Sequence, residues 1–280
     1  MTTAMTGASE PSLAQLISLR GRRAVVTGGA RGIGYATARR FAEAGAAVLI
    51  GDRNADGAVH AAATIAEAFA ADVRAAPVEV GDARSVAELA DAAVRLLGGI
   101  DIWINNAGVF RGHALVDTSD DDWAAMHDVN LRGTFHGCRE AARRMLAGPA
   151  RPGRVIVNIA SVAGLRGRVS LGAYGAAKAG VIGLTRSLAM ELAPHQIRVL
   201  SVTPSMAETP GVEEMRAAAR GQGAIGNTVA AMEQAVRASF PLGRAAQADE
   251  VARVIFFCAS DMAAFMTGSN VLVDGGLATR

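Results

Sequence analysis

Short apolar runs bounded by Gly, Asp and Arg alternate along this chain with longer stretches whose apolar positions recur at helical spacing. The runs at 23–27, 46–51, 75–80, 100–104, 154–159, 198–202 and 267–276 read as strands, and 36–44, 55–71, 85–97, 119–146, 172–192 and 249–259 as helices. Buried-type strands alternating with helices of this length predict an α/β fold, a doubly wound parallel sheet with helices on both faces. No linker or internal repeat breaks the pattern, so a single domain over 19–280 is expected. The opening residues are small and polar, and 1–18 reads as a flexible tail. Segment 206–240, rich in Ala and Gly with weak periodicity and no strand pattern, reads as an inserted lid.

Candidate chemistry collects where strands end. The first strand breaks into Gly28-Gly29-Ala30-Arg31-Gly32-Ile33-Gly34 and then a helix, an arrangement whose free N–H groups suit a pyrophosphate. Asp52 closes the second strand, about where an acid takes the adenosine ribose and repels a 2′-phosphate, which favours NAD over NADP. Arg31 and Arg53 pull the other way, and an N-cap for the next helix is a plainer role for Asp52. The fourth strand runs into Asn105-Asn106-Ala107-Gly108, either a close backbone approach to a cofactor or an ordinary turn. Asn130 sits inside the 119–146 helix, where asparagine is unfavourable unless it faces solvent or bonds the backbone. Ser161 follows the fifth strand, with a turn or cap as its plainer role.

Two scarce residues stand four positions apart: Lys178 is the only lysine, and Tyr174 is one of two tyrosines, the other being Tyr35. At that spacing on a helix their side chains share a face. A nearby ammonium favours phenolate and so makes a general base of a group that otherwise ionises near pH ~10. The formal charge of +2 is scattered, without the basic runs that track nucleic acid, and no apolar run is long enough to span a membrane. Cys138 and Cys258 show no metal-ligand spacing, so no metal is expected; they fit a reducing compartment and read as small apolar residues.

Thr27 to Gly34, Asn105 to Gly108, Asn130, Ser161, Tyr174-Gly175-Ala176-Ala177-Lys178, Pro204 and Asp274-Gly275-Gly276 follow one another as in the short-chain dehydrogenase/reductase family, which the chain resembles from about Leu19 to Gly276 in its classical form. The resemblance implies a Rossmann-type domain of seven parallel strands holding a nicotinamide dinucleotide. It implies a catalytic tetrad of Asn130, Ser161, Tyr174 and Lys178. Cofactor contacts would come from Gly28, Arg31, Gly32, Ile33, Gly34, Asp52, Arg53, Glu79, Val80, Asn106, Ala107, Gly108, Tyr174, Lys178, Pro204, Ser205 and Thr209. Glu79-Val80 stands where the family commonly has Asp-Val, with Asp82 a possible substitute; Ser205 stands for a glycine and Leu200 for an asparagine. Phe110, Ser161, Val162, Leu171 and Met206 are expected to line the substrate site, beside Arg111, Arg166 and Arg168, which either greet an acidic substrate or form a solvated rim. The expected activity is hydride transfer between NAD(H) and a secondary alcohol or ketone. The alternatives are an NADPH-dependent carbonyl or 3-oxoacyl thioester reductase and a non-catalytic dinucleotide sensor. A small-molecule substrate, no nucleic-acid or membrane partner, a cytoplasmic location and a homodimer or homotetramer through 119–146 and 172–192 complete these expectations.

Overall fold

Successive side chains of a strand point to opposite faces, and the strands of this chain are apolar on both, so both faces must be covered. The structure is a computed structural model that describes residues 10–221, 234 and 238–279. Its strands are β1 (Arg23–Thr27), β2 (Ala47–Asp52), β3 (Val73–Pro77), β4 (Ile102–Asn105), β5 (Arg154–Ile159), β6 (Ile197–Pro204), β7 (Ala207–Glu208), β8 (Ala246–Gln247) and β9 (Asn270–Val273). The α-helices are α1 (Leu13–Leu16), α2 (Gly32–Glu43), α3 (Ala55–Phe69), α4 (Ala83–Leu97), α5 (Asp120–His127), α6 (Gly133–Ala147), α7 (Gly172–Leu192), α8 (Pro210–Gly221) and α9 (Ala248–Ala259). Seven strands form one parallel sheet in the order β3-β2-β1-β4-β5-β6-β9, as expected of a Rossmann-type domain.

The two cores follow from strand alternation. Ala24 and Val26 of β1 face Phe41 of α2, Ile65 of α3 and Ile255 of α9. Val25, between them, faces the other way into a core with Leu89 of α4, Met145 of α6 and Leu192 of α7. Strand order reverses between β1 and β4, so their carboxyl ends flank the crevice where sheets of this type place a ligand. Among the described residues no helix is long and apolar enough to cross a membrane.

Several boundaries differ from the sequence reading. β3 begins earlier and stops at Pro77; Val78 and Val80, whose alternation suggested more strand, are instead buried beyond its end. The first glycine-flanked helix starts at Gly32, so Gly32, Ile33 and Gly34 form the first turn of α2 rather than a loop before it. The expected 119–146 helix is divided by a π-helical turn, Asp128–Arg132, and Asn130 within it is fully buried, not solvent-facing. Residues expected in the tail form α1, closed by a reciprocal cap in which Ser12 N–H donates to Gln15 Oε1 at 2.7 Å; residues 1–9 lie outside the described residues. The proposed lid contains α8, and its base is a parallel pairing of β7 with β8 that the sequence did not suggest. Residues 222–233 and 235–237 of that segment lie outside the described residues.

One ion cluster ties α2 to α9. Arg40 donates to Asp249 through Nε at 2.6 Å and Nη2 at 2.7 Å, and Arg253 adds a third bond at 2.8 Å. The Arg40 hydrogen bonds hold the Asp249 carboxyl down at about 2. Its folded value lies below the ordinary one, so its stabilisation is present above the unfolded pKa of about 4 and is lost as pH falls through about 2. Denaturant unfolding of wild type and Asp249→Asn across this range should show the variant less stable at pH 6 and the gap closing towards pH 2; a constant gap would contradict the assignment.

Candidate active site

Where β1 ends, the backbone must turn sharply enough to meet the end of β4. Gly28 turns it at φ 66°, and a Cβ there would lie 2.7 Å from Ala107 Cα. Asn106 fastens the two strand ends, donating through Nδ2 to Thr27 O at 2.9 Å and Gly28 O at 3.0 Å. Thr27 Oγ1 accepts from the N–H groups of Asn106 and Ala107 at 3.1 and 3.2 Å. The Asn-Asn-Ala-Gly segment is thus a fastener of the cleft rather than a free turn.

α2 starts in this cleft at Arg31 without a side-chain cap, whereas α3, α4 and α5 are capped by Asn54, Asp82 and Ser119. Its first N–H groups are therefore presented to the crevice, the arrangement that favours phosphate. Asp52 is not the N-cap of α3, since Asn54 performs that task; its carboxylate accepts from Ala30 N–H and Asn54 N–H, each at 3.0 Å, and holds the glycine-rich turn against the end of β2. Arg53 is exposed, and Arg31 is ion-paired with Glu214 of α8, a partner that no sequence signal indicated. Thr209 stands across from Gly32 and caps the following turn, accepting from Val212 N–H at 3.3 Å. Pro204 ends β6 in register with Val273, and Ser205 N–H donates to Val273 O at 3.2 Å. Ile33 packs partly buried on the core. Glu79 and Val80 sit beyond β3, with Glu79 N–H bonded to Ser85 Oγ at 2.9 Å and Val80 O meeting His136 Nδ1 at 3.1 Å. These residues fit a dinucleotide: an uncapped helix start, a turn with no room for a side chain, and an acid at the ribose position.

Across the crevice, α7 and the π turn bring the expected tetrad together. Asn130 Nδ2 donates to Val109 O at 2.9 Å and Met126 O at 3.0 Å, and its Oδ1 accepts from Val109 N–H at 3.3 Å. This bonding requires glycine next door, because a Cβ on Gly108 would lie 2.8 Å from Asn130 Oδ1 and 3.7 Å from Lys178 Nζ. Lys178 is buried, donates to Ile159 O at 2.8 Å, and has its Nζ 5.8 Å from the Tyr174 ring centre. Ser161 caps its own turn, accepting from Ala163 N–H at 3.2 Å, which is its plainer reading, and its side chain lies close enough to Tyr174 to draw the phenol down.

The electrostatics depart from expectation. Burial pushes the Tyr174 phenol above its ordinary value, and the Ser161 side chain draws it part of the way back. Burial also lowers Lys178 to about 8, which weakens it as a permanent charge.

Phe110 meets Tyr174 edge-on, ring centres 5.1 Å apart, and is half exposed, so it lines the mouth. Val162 does not: it is buried with Phe240 and Leu277, and Met206 packs on the same cluster. Leu171 is partly exposed beside Gly112. Arg111 is paired with Asp122 at 2.7 Å. Beneath the site runs a buried chain that the sequence did not signal, in which Asn105 donates to Asn158 at 2.8 Å and Asn158 to Thr185 at 3.0 Å.

Comparison with known proteins agrees with this geometry. The model of a family described as enoyl-(acyl carrier protein) reductase matches residues 28–278. The 3-oxoacyl-[acyl-carrier-protein] reductase FabG of Thermotoga maritima is 37% identical over 262 residues, 92% of this chain and 98% of that protein. The cis-4-hydroxycyclohexanecarboxylate dehydrogenase of Sinomonas cyclohexanicum is 41% identical over 258 residues, 91% of this chain and 96% of its own. The crystal structure of a short-chain type dehydrogenase/reductase from Mycobacterium marinum superposes with a TM-score of 0.86 at 32% identity, covering 96% of this chain and 100% of that one. Likeness running the full length of both partners, in sequence and in fold, makes this chain a member of the short-chain dehydrogenase/reductase family of oxidoreductases, in its classical form.

Proposed function

We propose that this protein transfers hydride between NAD(H) and a secondary alcohol or the matching ketone, with Tyr174 as general acid or base. The observation that carries this reading is the partly buried Tyr174, with the Ser161 side chain close enough to draw its phenol down and Lys178 Nζ 5.8 Å from its ring centre. In oxidation Tyr174 as phenolate takes the hydroxyl proton, and in reduction the phenol returns it. Ser161 donates to the substrate oxygen as charge develops there. Lys178, anchored on Ile159 O at 2.8 Å, keeps further N–H donors for the phenol and for a ribose hydroxyl. Asn130, fixed on the backbone of Val109 and Met126, stands beside Lys178 as the way out for the proton. The nicotinamide dinucleotide, held at α2 and Asp52, supplies the hydride acceptor or donor.

NAD is the cofactor this geometry favours. The Asp52 carboxylate closes β2, where it would meet an adenosine ribose and repel a 2′-phosphate, while Arg31, one of two cations that could welcome it, is engaged by Glu214. The second reading is reduction of a 3-oxoacyl thioester with NADPH, supported by similarity to several FabG reductases. Ring hydroxy acids are supported by similarity to the two hydroxycyclohexanecarboxylate dehydrogenases. A non-catalytic sensor is less well supported, because all four tetrad side chains are present and adjacent. A cytoplasmic homo-oligomer is part of the same proposal.

The first test is steady-state turnover with NAD and NADP over secondary alcohols, ketones and 3-oxoacyl thioesters. Tyr174→Phe should lose roughly 10²- to 10⁴-fold in kcat with NAD affinity, measured by fluorescence titration, essentially kept; near-normal turnover would sink the scheme. Lys178→Arg should fall by roughly 10²-fold, since a planar guanidinium cannot enter this pocket and serve two partners, and full activity would disprove that role. For Asp52→Ala the NAD-to-NADP ratio of kcat/KM should drop about tenfold, the scale of a lost charged hydrogen bond, and an unchanged ratio would show that Arg53 decides.

A further inference from the structure

We propose that the loop joining Ser161 to Tyr174 carries a subsite for an oxyanion attached to the substrate, with Arg168 as its recognising group and Arg166 as its anchor. The inference rests on the dehydrogenase reading above and adds the substrate's chemical class: an apolar body ending in a carboxylate or phosphate.

Four observations converge on it. A cavity of about 480 Å³ opens between Arg166, Gly167, Arg168, Val169, Ser239 and Leu277, within the size range of small-molecule sites. Leu277 on its wall packs against Val162, the residue after Ser161, so one packed side chain links the cavity wall to the strand end that carries the serine. The charge there is unbalanced: Arg111, the third arginine of this region, is neutralised by Asp122, whereas among the described residues neither Arg166 nor Arg168 has a carboxylate partner. Two arginines on one cavity wall, with no acid among the described residues that line it, fit a planar oxyanion that arrives from outside.

The loop is also held in shape. Arg166 donates through its guanidinium to Leu277 O and through its N–H to Val162 O at 3.1 Å, which fixes one end against the last turn of the chain. Leu171 N–H donates to Arg168 O at 3.2 Å. Ser170 between them is left-handed at φ 63°, a conformation that a serine adopts at a cost, and its carbonyl accepts from His113 N–H at 3.0 Å. Such outliers cluster at ligand clamps. Arg166 is thus committed to the scaffold, whereas Arg168 is exposed on the cavity wall. The apolar part of the ligand follows from two apolar side chains, each about half exposed: Phe110, edge-on to Tyr174, and Leu165, next to Arg166 in the chain.

The experiment compares matched substrates that differ only in the anion, with NAD(H) present. One pair is 4-oxocyclohexanecarboxylate and its methyl ester; the other is 3-oxobutanoyl-coenzyme A and the N-acetylcysteamine thioester of the same acid. In wild type the charged member of at least one pair should have the higher kcat/KM, and Arg168→Gln should reduce that charged-to-neutral ratio about tenfold or more, the scale of a lost charged hydrogen bond. A fall in the first ratio identifies a substrate carboxylate, and a fall in the second a carrier phosphate. Equal ratios in wild type and variant, or a wild-type preference for both neutral members, would overturn the subsite. Should wild type turn over none of the four, the hydride-transfer reading fails for these classes, and calorimetric titration of cyclohexanecarboxylate and of coenzyme A into the NADH-bound protein decides the subsite separately. Saturable binding of one of them, lost in Arg168→Gln, upholds the subsite; no binding of either, or binding that the variant retains, refutes it.

Discussion

An ammonium buried in this fold must find hydrogen-bond acceptors, and the geometry around Lys178 follows from that need. Burial already lowers it to about 8, so a small further loss of acceptors would leave it neutral. Its bond to Ile159 O at 2.8 Å sets the register of α7 against the end of β5. That register in turn places Tyr174, one helical turn earlier, over the crevice beside Ser161, which leaves the same strand end. The position of the phenol is thus inherited from the lysine.

The opposite wall has to accommodate this without a clash. A regular helix through Asn130 would carry its amide past the loop after β4, whereas the π turn at Asp128–Arg132 keeps it where both of its ends bond Val109. Only glycine fits at position 108 between that amide and the ammonium. Lower down, the chain Trp103, Asn105, Asn158 and Thr185 satisfies amides buried between β4, β5 and α7, so the strand ends that carry the site cannot slide past one another. Polar groups buried in this way are tolerated only when fully paired, which makes the layer beneath the site specific as well as stable.

Much of this was legible because local rules agree with one another. Alternation of apolar strands and helices gave the sheet, and rarity together with helical spacing singled out Tyr174 and Lys178. What escaped was decided by distance in the chain. Val78 and Val80 alternate like a strand, yet the core wanted them as a buried turn after Pro77. Asp52 looked like a cap because the helix after it needs one, and Asn54 was nearer. The pairing of Arg31 with Glu214 joins residues that no local pattern relates, and the left-handed Ser170 has no signal at all, since serine rarely adopts that conformation. The expected depression of Tyr174 by Lys178 was a two-body argument; burial, a many-body effect, outweighed it.

The single lysine is also informative about the arginines. Where this chain needs a cation to meet a carboxylate it uses the two-pronged guanidinium, as in Arg23 with Asp101, Arg40 with Asp249 and Arg244 with Glu250. Lysine appears at the one place where the partners are a carbonyl and a phenol face, and where the space beside Gly108 admits a single compact charge. Many arginines of this molecule are thus one half of a pair whose other half is an acid. Arg168 has no carboxylate partner among the described residues and stands on the wall of a cavity, and it is the cavity that turns a surface arginine into a statement about the substrate.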